Sequence, residues 1–196
     1  MFSFFVGLLF AAIAYVVGSL NCAILVCKAM KLPDPRVEGS GNPGATNVLR
    51  IGNKQAAVFV LIGDVLKGAL PVLVAYLIGV EGFMLALIAL AAVLGHMFPV
   101  FFQFKGGKGV ATAFGAMLVL TPGVTIFGLI VWVGIVFVTR YISLASVITP
   151  VVASVLILFL HIPYFLPIAV MAGLIIWRHK DNIDRLKAGT ENKFEW

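Results

Sequence analysis

The chain has 196 residues, of which 62% are hydrophobic and 11% charged, against roughly 45–50% and 25% in an ordinary soluble domain. No soluble fold of this length hides so much apolar surface, so the composition implies one all-α, membrane-embedded domain over residues 1–196. The net charge of +6 is scattered among hydrophobic spans without a basic stripe, which argues against a nucleic-acid partner and for anionic lipid head groups or phosphorylated substrates.

In chain order, apolar runs fall at about 2–27, 56–80, 82–104, 109–121, 123–139, 144–160 and 163–177. Met1-Phe2-Ser3-Phe4 lacks the positive start of a signal peptide, so the first run is expected to stay as a helix. Cys22 and Cys27, five apart within it, form no disulfide framework or metal-ligand pattern. Asp64 and Lys67 sit one turn apart in the second run, and an i, i+3 ion pair accounts for both. The fourth run, of about 13 residues, is short for a crossing. Joined to the fifth across Thr121-Pro122-Gly123 it would measure roughly 46 Å against a hydrocarbon core of about 30 Å.

Sidedness favours seven crossings. With the N-terminus outside, the basic residues fall toward the inner face: Lys28, Lys31, Arg36, Arg50, Lys54, Lys67, Lys105, Lys108, Arg140, Arg178, Lys180, Arg185, Lys187 and Lys193. A five-crossing arrangement puts Arg140 outside. The expectation is a multi-pass protein of the plasma (inner) membrane with a cytoplasmic C-terminus and a site facing the cytoplasm.

Two inner loops have the chemistry of phosphate binding. The first, Glu38-Gly39-Ser40-Gly41-Asn42-Pro43-Gly44-Ala45-Thr46-Asn47-Val48-Leu49-Arg50, combines glycines that bring N–H groups close to an anion with neutral hydrogen-bonding side chains. Arg50 adds a fork that grips a phosphate with two parallel bonds. The loop spells G-x-G-x-x-G, but no strand precedes it, so a dinucleotide fold is excluded by context. An ordinary solvent loop is the plain alternative. The second runs from Gly95-His96 to Lys105-Gly106-Gly107-Lys108-Gly109 and opens an apolar helix, whose N-terminus favours anions. It is not a Walker A loop, because no Ser or Thr follows Lys108 directly. Snorkelling explains single lysines there but not the glycine cluster, and His96 has a structural helix-end role as its alternative.

Two further pieces follow. Ser143 suits an N-cap, and Ser146, one turn on, is the better anion ligand. In Arg178-His179-Lys180-Asp181-Asn182, a helix would put His179 and Asn182 on one face; the rival is a solvated basic tail, accepted for Lys180, Lys187 and Lys193.

Taken together, GSGNPGATNVLR, GHMFPVFFQFKGGKGVAT and RHKDNIDRLKAGTE resemble the three motifs of the bacterial acyl-phosphate:glycerol-3-phosphate acyltransferases, over essentially the whole chain. At Asn21-Cys22 the sequence departs from the Pro-Phe-like pair expected of that family. The resemblance implies a seven-helix inner-membrane enzyme that transfers a fatty acyl group from acyl phosphate to the 1-hydroxyl of glycerol 3-phosphate, giving lysophosphatidic acid and phosphate. It implies Ser40, Arg50, Lys108, Ser146, His179 and Asn182 as active-site groups and Glu191 as a structural residue. Gly39, Gly41, Asn42, Gly44, Thr46, Asn47, His96, Lys105, Gly106, Gly107, Gly109 and Ser143 are expected to help bind substrate phosphate.

An acyl phosphate is already activated, so no metal or cofactor is expected; the task is to hold two phosphates and align the hydroxyl with the carbonyl. The proton goes to His179 or to a substrate phosphate oxygen. Expected partners are the two substrates, membrane lipids and the upstream acyl-phosphate-forming enzyme. His179 and Asp184 also spell H-x-x-x-x-D, a signature of acyltransferases using acyl-CoA or acyl carrier protein, but there it opens a larger domain and here twelve residues follow it. A transporter of phosphorylated anions is the alternative function, and it predicts such features near the bilayer midplane. A lipid-binding scaffold is a third, which predicts that Arg50 and Lys108 are dispensable.

Overall fold

The computed structural model describes residues 2–194 and is helical throughout, with elements α1 (Phe2–Gly18), α2 (Cys22–Ala29), α3 (Ala45–Arg50), α4 (Lys54–Leu77), α5 (Gly82–Met97), α6 (Val110–Leu120), α7 (Pro122–Thr139), α8 (Ile142–Leu160), α9 (Ile162–Arg178) and α10 (Lys180–Lys187). A short 3₁₀ turn, Val100–Phe102, follows α5. The chain divides into two compact units, Met1–Leu120 and Thr121–Trp196.

In the first unit, the run expected as one helix is broken at Ser19-Leu20-Asn21. Asn21 takes an extended conformation and its side chain accepts a hydrogen bond from Ile24 N–H, capping α2. The departure from the family's pair at this position therefore supplies a helix cap. The break frees the Leu20 carbonyl, which accepts a hydrogen bond from Lys67 Nζ at 2.7 Å. Lys67 also pairs with Asp64 at 2.8 Å, as the i, i+3 spacing predicts, and both side chains are buried. Asn53 caps α4 in the same manner as Asn21 caps α2.

Glycines bring the helices of this unit into backbone contact. A Cβ on Gly18 would collide with Ala92 O and one on Gly95 with Tyr15 O, so α1 and α5 cross with no side chain intervening. The pair α4 and α6 repeats the arrangement reciprocally: Gly68 faces Thr112 O and Gly115 faces Val65 O. Small residues at such crossings maximise packing where lipid removes the usual hydrophobic incentive for helices to associate.

The second unit is an antiparallel series of α7, α8 and α9 followed by α10 at a bend of 57°. Prolines open α7 and α9 in their first turns, where a missing N–H costs nothing. Arg140 ends α7 in the left-handed conformation, and its carbonyl accepts a hydrogen bond from Phe194 N–H at 2.7 Å, which ties the tail to the α7–α8 turn.

Five stretches are long and apolar enough to cross a membrane: 4–29, α4, 82–102, α7 and α8; α9 with α10 makes a sixth if the bent pair is one span. The protein is thus an all-helical, multi-pass membrane protein. The remaining run, expected at about 109–121, is the 11-residue α6, which measures roughly 16 Å.

Candidate active site

The two glycine loops lie at the same end of the first unit, because the chain leaves α2 and enters α4 there and returns by α5. The first loop is organised around Asn47, in the first turn of α3. Its Oδ1 accepts from Ser40 N–H at 2.7 Å, and its Nδ2 donates to Pro35 O at 2.8 Å and Glu38 O at 3.0 Å. The side chain is buried with its amide spent on the loop, so Asn47 builds the site instead of reaching substrate as the sequence suggested. A Cβ on Gly39, where φ is +63°, would strike Asn47 Oδ1; glycine is what the turn admits.

The loop displays two unspent polar groups. Ser40 is exposed, and Arg50, the last residue of α3, is exposed, its guanidinium making no hydrogen bond or ion pair among the described residues. Arg36 behaves differently: its guanidinium and Asp34 bond at 2.6 Å, which holds the Asp34 carboxyl below the usual carboxylate range. Gly44 is the extended N-cap of α3, and Asn42 and Thr46 are half-buried beside it.

The second loop is pressed into the first. Gly106, Gly107 and Gly109 are buried, Lys108 is half-buried and Lys105 is exposed. Gly107 N–H donates to His96 O at 3.2 Å. A Cβ on Gly107 would collide with His96 Nε2 and lie 3.1 Å from Pro43 O of the first loop. The other ring nitrogen of His96, Nδ1, stands 3.2 Å from Thr112 Oγ1 and 3.5 Å from Asp64 Oδ1. Ser40, Arg50, Lys105 and Lys108 thus stand on two interlocked glycine turns, a basic and donor-rich frame suited to phosphate.

In the second unit, the candidates gather where the α7–α8 turn meets the tail. Ser143 does not cap α8: Tyr141 holds that position, and Ser143 is one residue inside the helix, buried. Ser146 is buried, donates to Ile142 O at 2.8 Å and accepts from Trp132 Nε1 at 3.1 Å. Trp132, on α7, carries no motif signal, and only the packing of α7 on α8 reveals it. His179 lies at the α9–α10 bend, buried, with Nδ1 2.7 Å from Ile175 O. A carbonyl only accepts, so Nδ1 carries the hydrogen.

Asn182 follows on α10, also buried, and donates to Glu191 Oε1 at 2.6 Å; Arg185 Nε donates to Glu191 Oε2 at 2.7 Å. Burial pushes the Glu191 carboxyl up, but the Asn182, Ser143 and Arg185 groups around it outweigh burial and hold it below its ordinary value. Ser143 Oγ contributes from nearby without a hydrogen bond of good geometry. The tail is helical from Lys180 to Lys187, with Asn182 inside that helix and His179 at the turn just before it. Asp184 is exposed while His179 is buried, so the H-x-x-x-x-D spelling does not form a pair. Among the described residues there is no group of three His, Cys, Asp or Glu able to hold a metal ion.

The family model for glycerol-3-phosphate acyltransferase matches residues 8–189. Glycerol-3-phosphate acyltransferases of Shewanella sp. (strain W3-18-1) and Shewanella oneidensis are each 53% identical over 186 residues, 95% of this chain and 92% of theirs. That of Shewanella woodyi is 52% identical over 181 residues. A crystal structure of PlsY, an integral membrane glycerol 3-phosphate acyltransferase, in its glycerol 3-phosphate form is similar with a TM-score of 0.91 and 41% identity, covering 96% of both chains. Its lysophosphatidic acid form gives a TM-score of 0.89.

Proposed function

Because this chain belongs to the glycerol-3-phosphate acyltransferase family, we propose that its two interlocked glycine loops hold the phosphates of glycerol 3-phosphate and of an acyl-phosphate donor. The protein is an acyltransferase that acylates glycerol 3-phosphate, the first acylation of phospholipid synthesis. The observation that carries the loop assignment is the seating of Gly107 against Pro43, which joins Arg50 and Ser40 of one motif to Lys105 and Lys108 of the other.

The 1-hydroxyl oxygen of glycerol 3-phosphate attacks the carbonyl carbon of the acyl phosphate, the carbonyl–oxygen bond to phosphate breaks, and phosphate leaves with the bonding pair. The products are lysophosphatidic acid and phosphate. Arg50 and Lys108 neutralise phosphate charge, and loop N–H groups with Ser40 orient it. Ser146, His179 and Asn182 are the further active-site groups that the family resemblance implies, and Glu191 holds Asn182 in place. Since His179 Nδ1 carries a hydrogen, any proton acceptance by the ring falls to Nε2; a phosphate oxygen of the substrate is the other acceptor. The enzyme that makes the acyl phosphate upstream is the partner this donor implies.

The chain crosses the inner membrane seven times, with the N-terminus outside and the glycine loops and C-terminus cytoplasmic. The distribution of Lys and Arg supports this. The short α6 fits if the preceding loop is sunk below the membrane surface, in keeping with its buried glycines. Side-specific labelling of single cysteines placed at Lys105, Arg140 and Lys187 tests it; outside labelling of any of them removes the topology.

Purified protein incubated with palmitoyl phosphate and glycerol 3-phosphate should form lysophosphatidic acid and release one phosphate per turnover. Palmitoyl-CoA should not replace the donor. Product from the thioester alone would overturn the acyl-phosphate assignment.

A further inference from the structure

Charged side chains inside membrane helices are costly, and a buried ion pair is weak evidence for stability by itself. Asp64 and Lys67 of α4 are such a pair, 3% and 5% exposed, and Asp64 has a second polar neighbour from α5, the ring of His96. Thr112 of α6, fully buried, approaches the same ring nitrogen. Two helices, α4 and α6, therefore converge on Nδ1 of a histidine carried by α5, whose opposite nitrogen meets the backbone of Gly107.

We propose that His96 is a positioning residue: Asp64 and Thr112 fix its ring, and the ring fixes the Gly106-Gly107-Lys108 turn against the first loop. The negative carboxylate of Asp64, 3.5 Å from Nδ1, favours the tautomer with the ring hydrogen on that nitrogen, which leaves Nε2 toward the loop. Lys67 balances the Asp64 charge and anchors the pair through Leu20 O. Gly107 is then caught between His96 Nε2 on one side and Pro43 O on the other, with its own N–H donating to His96 O. Rotation of the ring displaces Gly107, and with it the spacing of the two phosphate loops. His96, placed by sequence among the groups that bind phosphate, instead acts through the loop.

This role rests on the reaction proposed above, and its test separates the two. Asp64→Asn/Lys67→Met removes both charges at nearly constant volume, which avoids stranding either ion. The melting temperature should stay within a few degrees of wild type, while KM for glycerol 3-phosphate rises about tenfold and kcat changes less than about threefold. In ¹⁵N NMR of histidine-labelled protein, where the chain's three histidines can be assigned by single substitution, the His96 ring should show hydrogen on Nδ1 in wild type and a changed pattern in the double variant. An unchanged KM, or ring signals that do not differ, overturns the proposal.

As a second route, Gly107→Ala should raise KM to a similar degree. His96→Ala/Gly107→Ala should lose no more than the worse single variant, because the added methyl then meets no ring; fully additive losses would also overturn it. Wild-type protein without acyltransferase activity would instead remove the proposed reaction, and active wild type with unmoved variants removes only the role of His96.

Discussion

Asn182 donates its side-chain N–H to Glu191 across 2.6 Å, joining α10 to the tail nine residues later. Arg185 bonds the other oxygen of the same carboxylate, so Glu191 closes the C-terminal turn. Glu191→Gln should cost about 1–2 kcal/mol at neutral pH and lower the melting temperature by a few degrees, since the charge-assisted bond to Arg185 is lost. The sign of its pH dependence follows from the lowered carboxyl. Its stabilisation is complete above the unfolded carboxylate value and fades as pH falls through the lower folded value. The gap between wild type and variant in detergent thermal melts should therefore narrow on acidification, and a gap that widens refutes the assignment.

Arg50 is exposed at the end of α3, its guanidinium unpaired among the described residues. Arg50→Lys keeps the charge but loses the planar fork. KM for glycerol 3-phosphate should rise about thirtyfold, corresponding to about 2 kcal/mol, with little change in melting temperature. Steady-state kinetics at saturating donor measures this.

The two lysines of the second loop should separate sharply. Lys108 is half-buried within the glycine turn and Lys105 is exposed at its start. Lys108→Ala should lower kcat/KM by about 100-fold or more, whereas Lys105→Ala stays within about threefold. Comparable losses in the two variants would mean that only the summed positive charge of the loop matters.

His179 donates from Nδ1 to Ile175 O at the α9–α10 bend. His179→Asn keeps a donor near that carbonyl and removes Nε2. If Nε2 serves the reaction, kcat falls by about 100-fold or more while the fold melts normally. A variant that turns over like wild type would confine His179 to holding the bend, leaving proton acceptance to the substrate.

The three motifs and the helical frame were legible because glycine clusters, basic loops and long apolar runs are local features of the sequence. The Asp64–Lys67 pair was legible for the same reason, its partners lying one turn apart. What the sequence concealed depends on contacts between distant segments. The amide of Asn47 is consumed by Pro35, Glu38 and Ser40, and no local pattern shows that. Ser143 looked like a cap because it precedes an apolar run, yet α8 begins one residue earlier. Trp132 reaches Ser146 only because α7 folds back on α8. The break at Ser19-Leu20-Asn21 lay hidden because two polar residues inside an otherwise apolar run do not by themselves end a helix, and only the cap by Asn21 marks it.

The glycine crossings of the first unit determine how freely this sequence can drift. Where α1 meets α5 and α4 meets α6, backbone touches backbone, so the separation of those helices is independent of the identity of the surrounding side chains. Outward positions such as Phe59, Ile62 and Leu66 answer only to the need to be greasy, and one apolar residue serves there as well as another. A saturation mutagenesis map should therefore show broad tolerance across those outward stripes, interrupted by intolerance at Gly18, Gly68, Gly95 and Gly115.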